Sequence, residues 1–359
     1  MTPSLRHLAE YAALRTIAGV VQCFDVDQNL HTVGAFGSIY ARLSPQRRAR
    51  AEANLAACYP EWSREEIASV AERSIRHMFQ VFAVDSLVTP RLMSFDSWPR
   101  YAELGTVGPA LDLMLHGRPA IFITGHVGNW EVLGMMLSAI GLQLAAIARP
   151  LDNPLINRWL LSLREARGLR VITKWGATPV LQEILEAGGR VGFIADQNAG
   201  DDGIFVPFFG RLASCYKSIG LLALRHEVPI LCGFAPRVGD RFLFRLDCVD
   251  IIEPADWATQ PDPLFYITAR YARAIEMMVR RCPDQYLWVH RRWKSRPRHE
   301  REGRPMPASL RRRLESLPWM DEETMSRLTA TDPPLPTPAR AEPGEATSAV
   351  GDHGAPTRA

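Results

Sequence analysis

From about residue 100 to 252 the apolar positions fall into short continuous runs, with longer stretches of three-to-four spacing between them. Runs at 119–124, 143–149, 170–173, 190–195, 229–235 and 241–251 are bounded by Gly, Pro or polar residues and predict buried strands. The stretches 106–116, 129–140, 153–167, 177–187 and 214–227 carry the helical period. Strands alternating with helices predict an α/β fold with a mostly parallel, mixed sheet flanked by helices. Phe242 to Ile252 is expected as an antiparallel edge. A further helix is predicted at 263–282, with Ile267, Tyr271, Ile275, Met278 and Val279 on one side.

Residues 1 to about 90 read as helical. Ser44-Pro45 is a cap followed by Pro at the first helical position. Ser63-Arg64-Glu65-Glu66 has the form of a capping box. Leu8 to Phe24 is apolar at helical spacing but broken by Glu10 and Arg15, so it is too interrupted for a spanning helix. Such a helix can lie in a membrane interface or pack on the domain. Beyond about 330 the chain turns to Pro, Ala, Gly, Thr and Glu without an apolar period, which predicts disorder. The expected organisation is a helical region at 1–95, an α/β core at 96–298, a basic, amphipathic extension at 299–330 and a tail at 331–359.

Composition adds little to this until charge is placed along the chain. With 359 residues, 47% of them hydrophobic, a sizeable core is available. The net charge of +3 implies no polyanion by itself. Between Arg291 and Arg313, however, basic residues are dense, including Arg291, Arg292 and Lys294. No nucleic-acid motif accompanies them, so anionic lipid or phosphate is the expected partner rather than nucleic acid. The cysteines at 23, 58, 215, 232, 248 and 282 form no C-x-x-C, which fits a reduced, cytosol-facing protein. No secretory signal is expected from the first residues.

The densest chemistry lies at Gly125-His126-Val127-Gly128-Asn129-Trp130-Glu131. A His stands at the end of a predicted strand, with a carboxylate five positions later in the first turn of the next helix. That spacing can aim Glu131 at one imidazole nitrogen and leave the other to take a proton. The plainer reading is a polar loop whose His and Glu cap a helix. Gly125 and Gly128 permit close backbone approach, and the amides at the helix start can hold an oxyanion or a phosphate. Arg149 and Asp196 also follow predicted strands, where the ligand crevice of an α/β sheet lies. Lys217 sits near a helix start and is a candidate contact for an anionic substrate. Phe205 to Gly210 reads as an apolar, Pro-bearing loop that either walls an apolar ligand or is ordinary core under a loop. Ser214 to Lys217 fits S-x-x-K but lacks its companion motifs, and no G-x-S-x-G, H-E-x-x-H, Walker A or G-x-G-x-x-G occurs. Neither metal nor nucleotide cofactor is expected.

His126 to Glu131 resembles the H-x4-[DE] motif of glycerolipid-type acyltransferases. Four further segments follow in order: Ala148 to Pro154, Ile194 to Asn198, Phe205 to Gly210 and Pro283 to Pro297, the last containing Trp-Val-His-Arg-Arg-Trp-Lys. Together they resemble the late acyltransferases of lipid A biosynthesis, the lauroyl/myristoyl transferase family. The resemblance implies an O-acyltransferase at the cytosolic face of the inner membrane, with His126 as base and Glu131 as its partner. It implies acyl carrier protein, or acyl coenzyme A, as donor co-substrate and an anionic glycolipid acceptor. Arg149, Arg164, Asp196, Lys217, Arg291 and Arg292 become candidate substrate contacts. A different lipid acceptor, such as a phosphatidylinositol mannoside, or a non-catalytic lipid-binding protein of the same fold are the alternatives.

Overall fold

The computed structural model describes residues 3–329 except 167. Helices α1 (Leu5–Cys23), α2 (Val26–Leu43), α3 (Pro45–Cys58) and α4 (Arg64–Gln80) come first. A wider π-helical turn, Val81–Asp85, leads into α5 (Ser86–Leu92). Pro45 opens α3 at its first position, although Ser44 makes no side-chain cap bond, and Ser63 and Glu66 exchange side-chain to backbone bonds at the start of α4 as read.

Then strands and helices alternate: β1 (Ala102–Leu104), α6 (Gly108–Leu115), β2 (Ala120–Thr124), α7 (Trp130–Ala139), β3 (Ala145–Ala148), α8 (Pro154–Glu165), β4 (Arg170–Thr173), α9 (Ala177–Glu186) and β5 (Arg190–Ile194). A hairpin, β6 (Ile204–Phe208) and β7 (Arg211–Cys215), precedes α10 (Lys217–His226), β8 (Ile230–Phe234) and β9 (Phe244–Ile252). The chain continues through α11 (Pro254–Ala258), α12 (Pro263–Arg281), α13 (Arg298–Arg301), α14 (Ala308–Glu315) and α15 (Glu322–Thr329).

The main sheet has the order β1-β9-β8-β2-β5-β3-β4. From β8 to β4 every neighbouring pair is parallel. β9 runs antiparallel to β8, as expected, but it is not the edge: the three-residue β1 pairs along its outer side. Alternation divides the strands between two cores. Ile121, Ile123 and Val191 join Ile267, Tyr271, Ile275 and Met278 of α12 in the larger one. Phe122 packs in the other with Val132 and Met136 of α7. Both faces are therefore covered, which is why these strands read as continuous apolar runs.

Two expectations are corrected. Phe205 to Gly210 is not a loop, because β6 and β7 pair antiparallel from Ile204↔Cys215 to Phe208↔Arg211. The two-residue turn uses Phe209 (φ 53°) and Gly210 (φ 68°), the left-handed pair that suits the twist of a tight hairpin. Val206, Phe208 and Phe209 are buried in the larger core, which bears out the core reading and leaves them walling no acyl chain. The predicted helix at 214–227 starts at Lys217, since Ser214 and Cys215 belong to β7.

Among the described residues no helix is long and apolar enough to cross a membrane. One side of α1 docks: Ala18 and Val21 are buried, and Tyr11 meets Trp159 of α8 with ring centroids 6.4 Å apart. Its other side leaves Leu5, Leu8, Ile17 and Val20 exposed, and α2 exposes Phe36, Ile39 and Leu43. The basic extension also packs: Leu314, Leu317 and Leu328 enter the larger core, and Trp319 meets Tyr266 of α12. The tail at 331–359 lies outside the described residues.

Candidate active site

The sheet register brings the two decisive side chains together. Thr124 of β2 pairs with Ile194 of β5, so the residues two positions beyond each strand end, His126 and Asp196, stand side by side. His126 Nδ1 lies 2.7 Å from Asp196 Oδ1. An ionised carboxylate only accepts, so Nδ1 carries the proton and Nε2 is left with its lone pair. Gly125 makes this approach possible: a Cβ there would meet Ile275 Cγ2 at 2.9 Å and Asp196 Cβ at 3.4 Å.

Burial opposes the charged imidazole, but Asp196, and after it Glu131, more than offset this and raise the His126 pKa above its ordinary value. Burial likewise works against the Asp196 carboxylate, and the neighbouring His126 overcomes it, bringing that pKa down to about 2. The His126 side chain keeps 15% of its surface open, against 2% for Asp196. The imidazole can therefore exchange a proton with a bound molecule while its partner stays sealed.

Glu131 does not orient His126. Its carboxylate takes two bonds from Arg164 of α8, Nε to Oε2 at 2.8 Å and Nη2 to Oε1 at 2.6 Å. Such a fork is the strongest geometry available to that carboxylate, and it ties α7 to α8. Glu131 reaches His126 through its charge and not through a hydrogen bond. Trp130 packs edge-on against the imidazole, with ring centroids 4.8 Å apart.

The loop itself is tightly held. The Gly128 amide bonds Gln285 O, the Asn129 amide bonds Ala235 O, and Asn129 Oδ1 caps α7 by accepting from the Val132 amide. Only the Trp130 and Glu131 amides at this helix start lack a backbone or side-chain acceptor among the described residues, so the expected anion cradle shrinks to those two. Gly128 has φ +60°, and a Cβ there would come within 2.6 Å of Ala235 O.

His126, Trp130, Glu131 and Arg164 line a cavity of about 1150 Å3. Its walls are mostly apolar, among them Phe82, Leu111, Phe122, Leu137, Phe193 and Leu222. By strand alternation Phe122 and Phe193 face opposite sides of the sheet, so the cavity wraps round the strand ends. Arg149, Lys174 and Arg225 also line it, and none has an acidic partner among the described residues.

The other expected contacts separate from this site. Lys217 is exposed at the first turn of α10 and is not in the lining. Arg292 is 2% exposed and donates to Ser214 O at 2.5 Å, to Gln197 O at 3.4 Å and to Cys215 Sγ at 2.8 Å. Its guanidinium holds β7 and the Asp196 loop and is not available to substrate. Arg291 is exposed, outside the lining and without a partner among the described residues. Lys174, Arg225 and the buried groups behind the His126 loop were missed. Lys174 follows a strand, the same signal that marked Arg149.

The model of the family described as bacterial lipid A biosynthesis acyltransferase matches residues 1–295. The chain belongs to that family. It is therefore an acyltransferase. Among its relatives, the lipid A biosynthesis acyltransferase 2 of Shigella flexneri is 26% identical over 75% of this chain and 84% of its own length. The lauroyltransferase of Escherichia coli K12 is 24% identical, covering 73% and 83% of the two chains. The myristoyltransferase of the same strain is 24% identical, covering 72% and 79%. The family match ends at 295, inside the basic segment, so α13 to α15 lie beyond it.

Proposed function

We propose that this acyltransferase moves a fatty acyl group from acyl carrier protein, or from acyl coenzyme A, to a hydroxyl of a lipid A precursor or related glycolipid. The observation that carries the proposal is the His126–Asp196 pair opening on a large, mostly apolar cavity whose wall holds cations with no acidic partner among the described residues. His126 Nε2 takes the proton of the acceptor hydroxyl as its oxygen attacks the thioester carbonyl. Asp196 holds the tautomer and stabilises the imidazolium. The Trp130 and Glu131 amides, at the positive end of α7, face the developing oxyanion. Collapse of the tetrahedral intermediate breaks the carbon–sulfur bond, and the leaving thiolate recovers the proton from His126. The acyl group passes directly from the thioester to the hydroxyl, with no covalent enzyme intermediate.

The apolar cavity takes the acyl chain, while Arg149, Lys174 and Arg225 meet the phosphates of acceptor or donor. The exposed apolar sides of α1 and α2 seat the enzyme peripherally on the inner membrane, active site toward the cytoplasm. The test is mass spectrometry of membrane glycolipids with and without the gene, beside transfer by the purified enzyme. One acyl chain missing from one glycolipid is expected. Unchanged glycolipids together with no transfer from either donor would overturn the reading.

A further inference from the structure

Behind the His126 loop lies a buried charged group that the reaction does not use. Asp85, the last residue of the π-helical turn, is fully buried and paired with Arg237, which is itself buried. Asp85 Oδ2 also accepts from Asn129 Nδ2 at 2.6 Å. Asn129 is the residue that caps α7 between His126 and Glu131. Arg237 is fixed in turn: its amide donates to Gln285 Oε1 at 2.8 Å, and Gln285 Nε2 donates back to Arg237 O at 3.0 Å. Gln285 O holds the Gly128 amide. The same π-helical turn reaches the site a second time, because Phe82 packs on Trp130, with ring centroids 5.7 Å apart.

Stability alone does not explain this arrangement. Removing two charges from water costs several kcal/mol per ion, and an apolar pair of similar volume often serves as well. Satisfaction here is incomplete, since Asp85 Oδ1 and Arg237 Nε have no hydrogen-bond partner among the described residues. A π-helical turn is itself an irregularity that is frequent at functional sites. What the pair does accomplish is geometric: it fixes one side chain of the catalytic loop in the interior.

We propose that the Val81–Asp85 turn is a positioning device for acyl transfer, in which Asp85 and Arg237 lock Asn129 from beneath, Phe82 backs Trp130 from the side, and the loop between β2 and α7 is thereby held to one setting of His126. The inference rests on the reading of His126 as the base. Asp85 and Arg237 touch no substrate; they act through Asn129.

The test separates the link to Asp85 from the helix cap. Asn129→Ser keeps a good capping oxygen but is too short to reach Asp85. In the purified full-length enzyme it should fold and melt a few degrees below the wild type, because buried Asp85 loses one donor, keep KM within about twofold and lose about tenfold to hundredfold in kcat, the scale expected when a reacting group is slightly misplaced. Arg237→Lys should retain more kcat than Arg237→Met. Wild-type kcat in Asn129→Ser, or a change confined to KM, would overturn the proposal. If the Arg237 variants do not fold, Asn129→Ser still decides. His126→Ala is run alongside: its inactivity beside a fully active Asn129→Ser would sink the positioning role alone, whereas an active His126→Ala would remove the base and this inference together.

Discussion

The loop at 126–131 and the segment at 288–296 look alike in sequence, each mixing basic, aromatic and small residues. The structure uses them in opposite ways. In the first, side chains project past the ends of adjacent parallel strands, and His126 meets Asp196 at the rim of an open cavity. In the second, Trp288, Arg292 and Trp293 turn inward, and the Arg292 guanidinium is spent on the carbonyls of Ser214 and Gln197. Density of charge along the chain therefore does not locate a site. What locates it is strand register, which brings residues 70 positions apart together and leaves the space beyond the strand ends unfilled.

The sharpest way to break this contrast is His126→Ala. Loss of the base should lower turnover by about 10²–10⁴-fold while the melting temperature stays near that of the wild type. Transfer by the purified variant is the measurement, and wild-type turnover would place the chemistry elsewhere.

Asp196→Asn comes next, at about a hundredfold in kcat, since the wrong tautomer or ring setting is then available to His126. It also makes a signed prediction. In the wild type the carboxylate favours the imidazolium and holds the His126 pKa above its ordinary value. The acid limb of kcat/KM, where the base becomes protonated, should therefore move to lower pH in Asp196→Asn. A limb that stays in place over a pH series would mean that Asp196 does not govern this titration.

Glu131→Gln should cost less, about tenfold, because Glu131 reaches His126 by charge and helix placement rather than by a hydrogen bond. Kinetics of this variant beside Asp196→Asn rank the two carboxylates. A larger loss for Glu131→Gln would return it to the place of principal partner.

How much of this could be read in advance follows from the same contrast. The alternation of runs between 119 and 235 was legible because strands buried on both faces leave an unbroken apolar signature. The β6–β7 hairpin was not, since Pro207 inside the run and a Phe209-Gly210 turn without an Asn-Gly signal both suggest a loop. His126 was legible from its strand–turn–helix setting. Its partner was not, because sequence spacing favours the near carboxylate, and only the β2–β5 register promotes the distant Asp196. Asp85 did leave a trace: it is a lone carboxylate ending the apolar run Val-Phe-Ala-Val-Asp, where burial demands a partner. Arg292 left none, since an arginine bound to backbone carbonyls and one bound to phosphate look the same in sequence.

The smallest effect on turnover separates Arg291 from Arg292. Arg292→Met strips the hairpin and the Asp196 loop of a buried donor set and leaves carbonyls unpaired, at a cost of about 2–4 kcal/mol in stability. Turnover per folded molecule should change far less than in Asp196→Asn. Arg291→Ala touches nothing buried, so its melting temperature should match the wild type. If Arg291 faces anionic lipid, the wild-type enzyme should leave anionic liposomes as salt rises, and Arg291→Ala should show a shallower dependence. Co-sedimentation across a salt series and thermal melts of both variants make the comparison. Equal stability losses in the two would mean that the segment is structural throughout. A stable Arg292→Met with weakened acceptor binding would show that this buried arginine meets substrate, and that the inward packing of 288–296 is not what separates it from the His126 loop.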